Sequence, residues 1–546
     1  MPRSSRRFWE RCLSSAPELI HASNCHSFLE IPAIPPYDLH DAERGRPCDN
    51  ASMSLIPDIA SLLPEGYASW RPLVRDAFLF FIESLSRTRR AALISGQAAL
   101  PPNADAATRL VHLMHECPTL HKIGQVLARH RGLDPGLRSR LQLLESFEPR
   151  TPWSVIGPII SSDLAPFVGT YSIEIEPRPL AEASVAVVVP FRYRVRSNGG
   201  EVRRVARSGG GADAAEVQRG VLKVLKPEIP EKLREELAIV GRLADYLDER
   251  RTDYELPLIE YRDTLETVRQ LLQNEVLFEH ERENLKAAFS RYADDDLIVI
   301  PRVLQFGSPR IIAMSRIDGA KITDRRLDDP GHLARTLIEA LILRPILDPR
   351  PDASFHADPH AGNLFATPEN RLAILDWSLT GVLSIADREI MTRAMLAAAM
   401  LDETALAERI FELCEAPPAG DRLREVIRRS MRTAPMIPGP SWFIRLLDDA
   451  AVAGARFSGD LLLFRKTFLT VQGVAADLCD RISMDEVLMA GLLGALAAEW
   501  PMRGWMPFES RSPLTHLSNL DLAAVMWSAP LIAMRRWSAW WGLPLG

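Results

Sequence analysis

The sequence predicts an α+β fold in two lobes, preceded by a helical extension and followed by a helical, partly hydrophobic tail. Three observations carry that expectation. Apolar residues recur at spacings of three and four from residue 55 to about 148, short β-branched runs take over between residues 171 and 229, and the remainder returns to a mostly helical pattern. With 546 residues, 47% of them hydrophobic, the chain has material for roughly three or four folding units.

Composition narrows the class. A charged fraction of 25%, with 41 prolines and 30 glycines in no period, excludes collagen, low complexity and global disorder. A net charge of -6 supplies no basic excess, so nucleic acid is not an expected partner. The 6 cysteines never fall in a C-x-x-C pair or near a suitably spaced histidine pair, which argues against a zinc knuckle and a disulfide framework and points to a reducing compartment. No run of eighteen apolar residues occurs, and the basic start is followed by Phe8, Trp9 and Glu10 rather than an apolar segment, so the expectation is a cytoplasmic chain without a signal peptide.

In chain order, residues 1–52 read as a leader or linker, interrupted by Pro32, Pro35, Pro36 and Pro47, with Met53 an alternative start. Residues 53–170 form the helical extension, in which Trp70, Leu73, Val74, Ala77, Phe78 and Phe81 share a face. Residues 171–320 form a small lobe. Its strands are expected at 171–175, 184–189 and 221–225, with Gly199-Gly200 and Gly209-Gly210-Gly211 as punctuation. One long amphipathic helix is expected over about 258–289, where Leu265, Val268, Leu271, Leu272, Phe278 and Leu285 recur, and strand signals follow at 297–300 and 311–314. Residues 321–480 form a large lobe and 481–546 the tail. Strands first, one helix inserted and helices afterwards is the two-lobe order of a protein-kinase-like fold.

The sharpest chemistry lies in Phe355-His-Ala-Asp-Pro-His-Ala-Gly-Asn363 and Leu375-Asp-Trp-Ser-Leu-Thr-Gly381. Asp358 and Asn363 are five apart, and Asp376 follows thirteen later, after two short apolar runs around a Pro368-Glu-Asn turn. Such a hairpin folds an acid, an amide oxygen and a second acid onto one site. Phosphoryl transfer needs that set, with one carboxylate to orient or deprotonate the acceptor and two oxygen ligands for magnesium on nucleotide phosphates.

At this point the sequence resembles the UbiB/AarF group of atypical kinase-like proteins, over about residues 53–480. Lys122-Ile-Gly-Gln125 matches that family's K-x-G-Q motif at Lys122, Gly124 and Gln125, and Pro179-Leu-Ala-Glu-Ala-Ser-Val-Ala186 is similar to its alanine-rich loop over the nucleotide. An alanine in place of glycine stiffens such a loop and limits backbone approach to phosphate. The resemblance implies a nucleotide site at Ala183, Ser184, Ala186 and Met314, with Lys122 and Gln125 nearby. It further implies Lys223 on phosphate, Glu281 as its partner, Asp358 as the catalytic acid, and Asn363 and Asp376 on the metal. ATP and Mg2+ are the implied cofactors. It also implies that Glu275 meets Lys122, since on one continuous helix it lies about 240° from Glu281, and that the extension lies across the site where a protein kinase admits a peptide.

The pattern is departed from in several places. Leu277 stands where the family has the Asp of E-x-D, removing one carboxylate of a pair worth about 4 kcal/mol at 4 Å and an effective dielectric of 20. Ser378 replaces the glycine of Asp-Phe-Gly, Ser315 replaces an acid near the hinge, and Val187 and Val189 replace Gln and His. The implied function is a magnesium-dependent ATPase or small-molecule kinase supporting ubiquinone or other isoprenoid-lipid biosynthesis, with biosynthetic protein partners. A nucleotide-binding pseudokinase scaffold and a small-molecule kinase of the aminoglycoside or choline type are the alternatives. In the tail, thirteen uncharged residues over 522–534 precede Arg535 and Arg536, with Trp527, Trp537, Trp540 and Trp541 around them. About 20 Å of helix does not span a bilayer, so this segment either meets an isoprenoid or phospholipid surface peripherally or packs on the large lobe.

Overall fold

In the extension, the three-and-four spacing of apolar residues forms helices α1 (Arg71–Ser84), α2 (Arg87–Ala98), α3 (Ala106–Glu116), α4 (Pro118–Leu127) and α5 (Pro135–Gln142). Phe78, Phe81 and Ile82 of α1 pack with Leu113 and Met114 of α3 and Leu141 of α5 in one core. Asp105 starts α3 by accepting the Thr108 N–H at 2.8 Å, a side-chain cap on an otherwise orphan donor. The computed structural model describes residues 56–127, 134–142, 144, 149–194, 217–254, 261–274, 276–324, 327–418, 421–435 and 437–540. The leader, the two glycine punctuation points and Glu275 therefore lie outside the described residues.

A sixth helix, α6 (Trp153–Leu164), precedes the small-lobe strands β1 (Glu174–Ile175), β2 (Ala181–Glu182), β3 (Ala186–Tyr193) and β4 (Gln218–Leu225). Then come α7 (Ile229–Glu249), α8 (Tyr261–Asn274), α9 (Phe278–Arg291), β5 (Ile298–Val299), β6 (Val303–Ser308) and β7 (Ile311–Ser315). The small-lobe sheet runs β1-β3-β4-β7-β6, with β2 folded onto β3. Its two faces are chemically distinct, because strand side chains alternate. Val187, Val189, Leu222 and Val224 are fully or almost fully buried against Ile156 and Ile160 of α6, whereas Ala186, Val188 and Lys223 turn to the opposite side. The two valines that replace Gln and His thus belong to sheet packing.

The single helix expected over 258–289 is two helices. Leu272 of α8 packs on Leu233 and Leu237 of α7, while Phe278 and Leu285 of α9 enter the main core. One straight cylinder cannot serve both, and the chain turns at Leu277, whose φ of -90° and ψ of 78° are not helical. An angle around one continuous helix consequently does not relate Glu275 to Glu281. The expected strand at 171–175 shortens to β1, and the signal at 297–300 joins the large lobe as β5. The unforeseen α7 carries its own legible stripe, Leu233, Leu237, Val240, Leu243, Ala244 and Leu247, all buried.

The large lobe contains β8 (Ala320–Lys321), α10 (Pro330–Ile338), which runs on through a π turn at Glu339–Leu343, β9 (Asp352–His356), β10 (Leu364–Ala366), β11 (Leu372–Ile374) and β12 (Thr380–Ser384). Two small sheets result, β5-β11-β10-β8 and β12-β9. Helices α11 (Ile385–Ala399), α12 (Glu403–Leu413), α13 (Arg422–Arg432), α14 (Pro440–Val452) and α15 (Gly459–Leu478) surround the main core.

The tail forms α16 (Met484–Arg503) and α17 (Asn519–Trp540). Met484, Val487 and Leu488 seal α16 to the main core, after which Trp500, Trp505, Phe508 and, on α17, Trp527 are exposed. Among the described residues no helix is long and apolar enough to cross a membrane. The side chains of Trp537 and Trp540, and Trp541 altogether, lie outside the described residues.

Candidate functional site

A cavity of about 370 Å³ lies between the lobes. Every site residue named from sequence lines it except Gln125, whose side chain lies outside the described residues. The alanine-rich turn forms its roof: the Ala183 N–H donates to the Ala186 carbonyl at 2.8 Å, closing the β2–β3 hairpin over Ser184. Glu182 anchors that hairpin by accepting from Lys226 at 2.6 Å and from the Arg150 and Thr151 N–H groups at 2.7 and 2.9 Å. Burial pushes the Glu182 carboxyl up, but these donors outweigh it and hold it at about 2.

Lys223 sits on β4 opposite Val188 and Ile312. Its ammonium donates to both oxygens of Glu281, at 2.6 and 2.7 Å, and to Asp376 Oδ2 at 2.8 Å. Burial disfavours the charge on Lys223, yet the two carboxylates overcome it and raise the pKa above the ordinary lysine range. Asp376 is held well below the usual carboxylate range against the same burial, by Lys223 and by the Ser378 N–H, which donates to Oδ1 at 2.9 Å. Ser378 thereby orients the acid. Trp377 is buried, stacks edge-on against His356 at 4.8 Å between centroids, and donates its indole N–H to the Ile374 carbonyl.

The β10–β11 hairpin brings the second motif back to the first. Its register pairs Leu364 with Ile374, and the Leu375 N–H donates to the Asn363 carbonyl at 2.9 Å, which sets Asn363 beside Asp376. The Asn363 amide nitrogen donates to the Asp358 carbonyl at 3.4 Å, turning the amide oxygen elsewhere. Asp376 carboxylate and Asn363 amide oxygens are hard donors of the type magnesium takes together with substrate phosphates, so this pair fits that ion. Among the described residues no group of three or more His, Cys, Asp or Glu is placed to hold a metal by itself. The fit is therefore to an ion that phosphate oxygens and water complete.

Asp358 has a different environment. Lys122 donates to its Oδ2 at 2.5 Å, Lys466 donates to its Oδ1 at 2.8 Å, and His360 Nε2 stands 4.0 Å away. Burial pushes Asp358 up, but Lys122, Lys466 and His360 together hold it well below the usual range. Lys122 thus reaches the large-lobe acid, while its implied partner Glu275 lies outside the described residues. Gly124 serves packing within the extension, because a Cβ there would stand 2.4 Å from Leu144 and 2.7 Å from Met114. At the hinge, Met314 lines the cavity and Ser315 accepts the Arg302 N–H at 2.9 Å. Gly319 passes so close to β10 that a Cβ would meet the Ala366 carbonyl oxygen at 2.3 Å.

Sequence reading missed Lys466 and the anchoring role of Glu182. The lysine's signal is the charged pair Arg465-Lys466 inside an otherwise mostly apolar stretch from Leu461 to Leu469; nothing in it tells which acid Lys466 meets.

The family model described as the ABC1 atypical kinase-like domain matches residues 212–410, from the small lobe through the two motifs. Residues 212–410 thus match an atypical kinase-like domain, and the chain is similar to proteins named as UbiB. A protein of Marinobacter nauticus named as a probable protein kinase UbiB is 26% identical over 381 residues, covering 66% of this chain and 64% of that one. A like-named protein of Shewanella halifaxensis is 24% identical over 382 residues, 67% and 65% of the two chains. The match therefore spans a little under two thirds of those relatives. Among solved structures, Rv3197 of Mycobacterium tuberculosis, determined in complex with erythromycin, covers 74% of this chain and 97% of its own at 18% identity, with a TM-score of 0.41.

Proposed function

We propose that this UbiB/AarF protein binds ATP with magnesium in the interlobe cavity and turns it over as an ATPase or small-molecule kinase supporting ubiquinone or other isoprenoid-lipid biosynthesis. The observation that carries the reading is the convergence of Lys223, Glu281, Asp358, Asn363 and Asp376 on one cavity under the alanine-rich turn. Lys223, held by Glu281, binds the nucleotide phosphates. Ala183, Ser184, Ala186 and Met314 contact the nucleotide, and Asn363 and Asp376 hold the metal, which supplies charge neutralisation on the phosphates. Asp358 orients the acceptor or its proton. Lys122 of the extension borders the phosphate end and the extension excludes a peptide substrate, so generic proteins are not phosphorylated in trans. Association with a lipid surface through α16 and α17 is supported by the exposed Trp500, Trp505, Phe508 and Trp527.

Titration of ATP with and without magnesium tests this. In the wild type, chelation weakens binding; in Asp376→Ala that dependence is gone. Equal ATP affinity for both proteins, with and without chelator, overturns the metal assignment. A wild type that binds ATP but shows no turnover with any lipid or small acceptor favours the scaffold alternative, in keeping with Leu277 and Ser378.

A further inference from the structure

Helix α15 reaches the cleft from behind the two motifs. Its buried side places Phe464, Phe468 and Val471 in the main core, with Phe464 edge-on to Phe355 at 5.3 Å between centroids. Two successive residues of this helix grip three successive residues of the segment that carries the acid. Thr467, fully buried, donates its hydroxyl to the His356 carbonyl at 3.1 Å. Lys466 donates to the Ala357 carbonyl at 3.3 Å and to Asp358 Oδ1 at 2.8 Å. Lys466 stands outside the lining of the cavity, on the far side of the acid.

The second lysine on Asp358 is differently held. Lys122 occupies the other carboxylate oxygen, lines the cavity, and comes from the extension, whose core takes in Ile239 of α7 and no residue of the main core. One ammonium is thus fixed by the main core behind the acid, and the other stands in front of it on an element outside that core.

We propose that Lys466 is the standing counter-ion and positioning residue of Asp358, and that it makes Lys122 exchangeable. Lys122 then moves from the carboxylate to a phosphate oxygen in the cavity without stranding a buried carboxylate. The physical reason is the cost asymmetry of buried ions: a buried carboxylate tolerates losing one of two cations, and not both. The exchange rests on the nucleotide reading above; the counter-ion role of Lys466 does not.

Two measurements on the full chain separate those claims. The first is urea unfolding without nucleotide of Lys122→Met, Lys466→Met and the double variant, each with Asp358 and with Asp358→Asn. The double variant is expected to lose more stability than the two singles added, and Asp358→Asn abolishes the excess. If the double variant fails to fold, its rescue by Asp358→Asn is the same result. Additive losses in both backgrounds overturn the counter-ion role. The second is titration with ATP and magnesium. Lys466→Met is expected to weaken binding about tenfold or more, because Lys122 can no longer leave Asp358. Both Lys466→Arg and the pair Lys466→Met with Asp358→Asn restore it. Unchanged affinity in Lys466→Met overturns the exchange. A wild type that binds no ATP overturns the nucleotide reading and the exchange with it, while the unfolding cycle still decides the role of Lys466.

Discussion

On the small-lobe face of the cleft one lysine serves two carboxylates, whereas on the large-lobe face one carboxylate is served by two lysines. Lys223 is shared between Glu281 and Asp376, and Asp358 is shared between Lys122 and Lys466. The two clusters line or adjoin the same cavity with opposite charge imbalance among these partners. An excess of carboxylate favours a cation, as the proposed metal site requires. The lysine-rich cluster suits an anion and holds Asp358 charged. The arrangement teaches that a kinase-like acid can be kept charged and oriented by cations from outside the kinase-like motifs.

The largest expected effect tests the first cluster. Lys223→Met leaves Glu281, 1% exposed in its side chain, and Asp376 without their shared cation, and the loss expected in urea unfolding is about 3–5 kcal/mol. A loss under about 1 kcal/mol would show that the pair is already well solvated and break the contrast between the two faces. Next in size, Asp358→Asn keeps the side chain's shape and removes its charge. Turnover is expected to fall by at least about a hundredfold while ATP affinity stays nearly intact; an equal fall in affinity would instead assign Asp358 to nucleotide binding.

A fourth carboxylate, Glu182, sharpens the comparison through pH. Its folded pKa of about 2 lies below its ordinary 4.5, so it contributes stability above pH 4.5 that is lost as pH falls from there to about 2. Wild-type stability should drop over that window, and Glu182→Gln should flatten the drop while lowering stability at pH 7. The smallest effect is expected far from both clusters. Trp505→Ser with Trp527→Ser, at positions 87% and 83% exposed, should change unfolding free energy by under about 0.5 kcal/mol yet reduce binding to anionic phospholipid vesicles. Unchanged vesicle binding would remove α16 and α17 from the lipid reading.

Much of the cleft was legible before any coordinates. The spacing of Asp358, Asn363 and Asp376 around a turn specified a hairpin, and β10 and β11 form it in register. The apolar flanks of Lys223 specified a strand, which the sheet places between β3 and β7, and the alternation of β3 turns Val187 and Val189 away from the cavity. The failures have a common cause. Residues 258–289 carry one continuous apolar rhythm, but its two halves face different cores, and periodicity does not say which partner a stripe meets.

Local pattern determined where this chain makes strands, helices and the motif hairpin, because backbone dihedrals and side-chain alternation act over a few residues. Tertiary structure alone decided which charges share a buried carboxylate. Lys122 lies 236 residues before Asp358 and Lys466 lies 108 after it, on helices whose own patterns are ordinary. Their meeting follows from the docking of the extension and of α15 onto the segment that carries Asp358, and a buried ion pair holds because the whole surrounding fold excludes water from it.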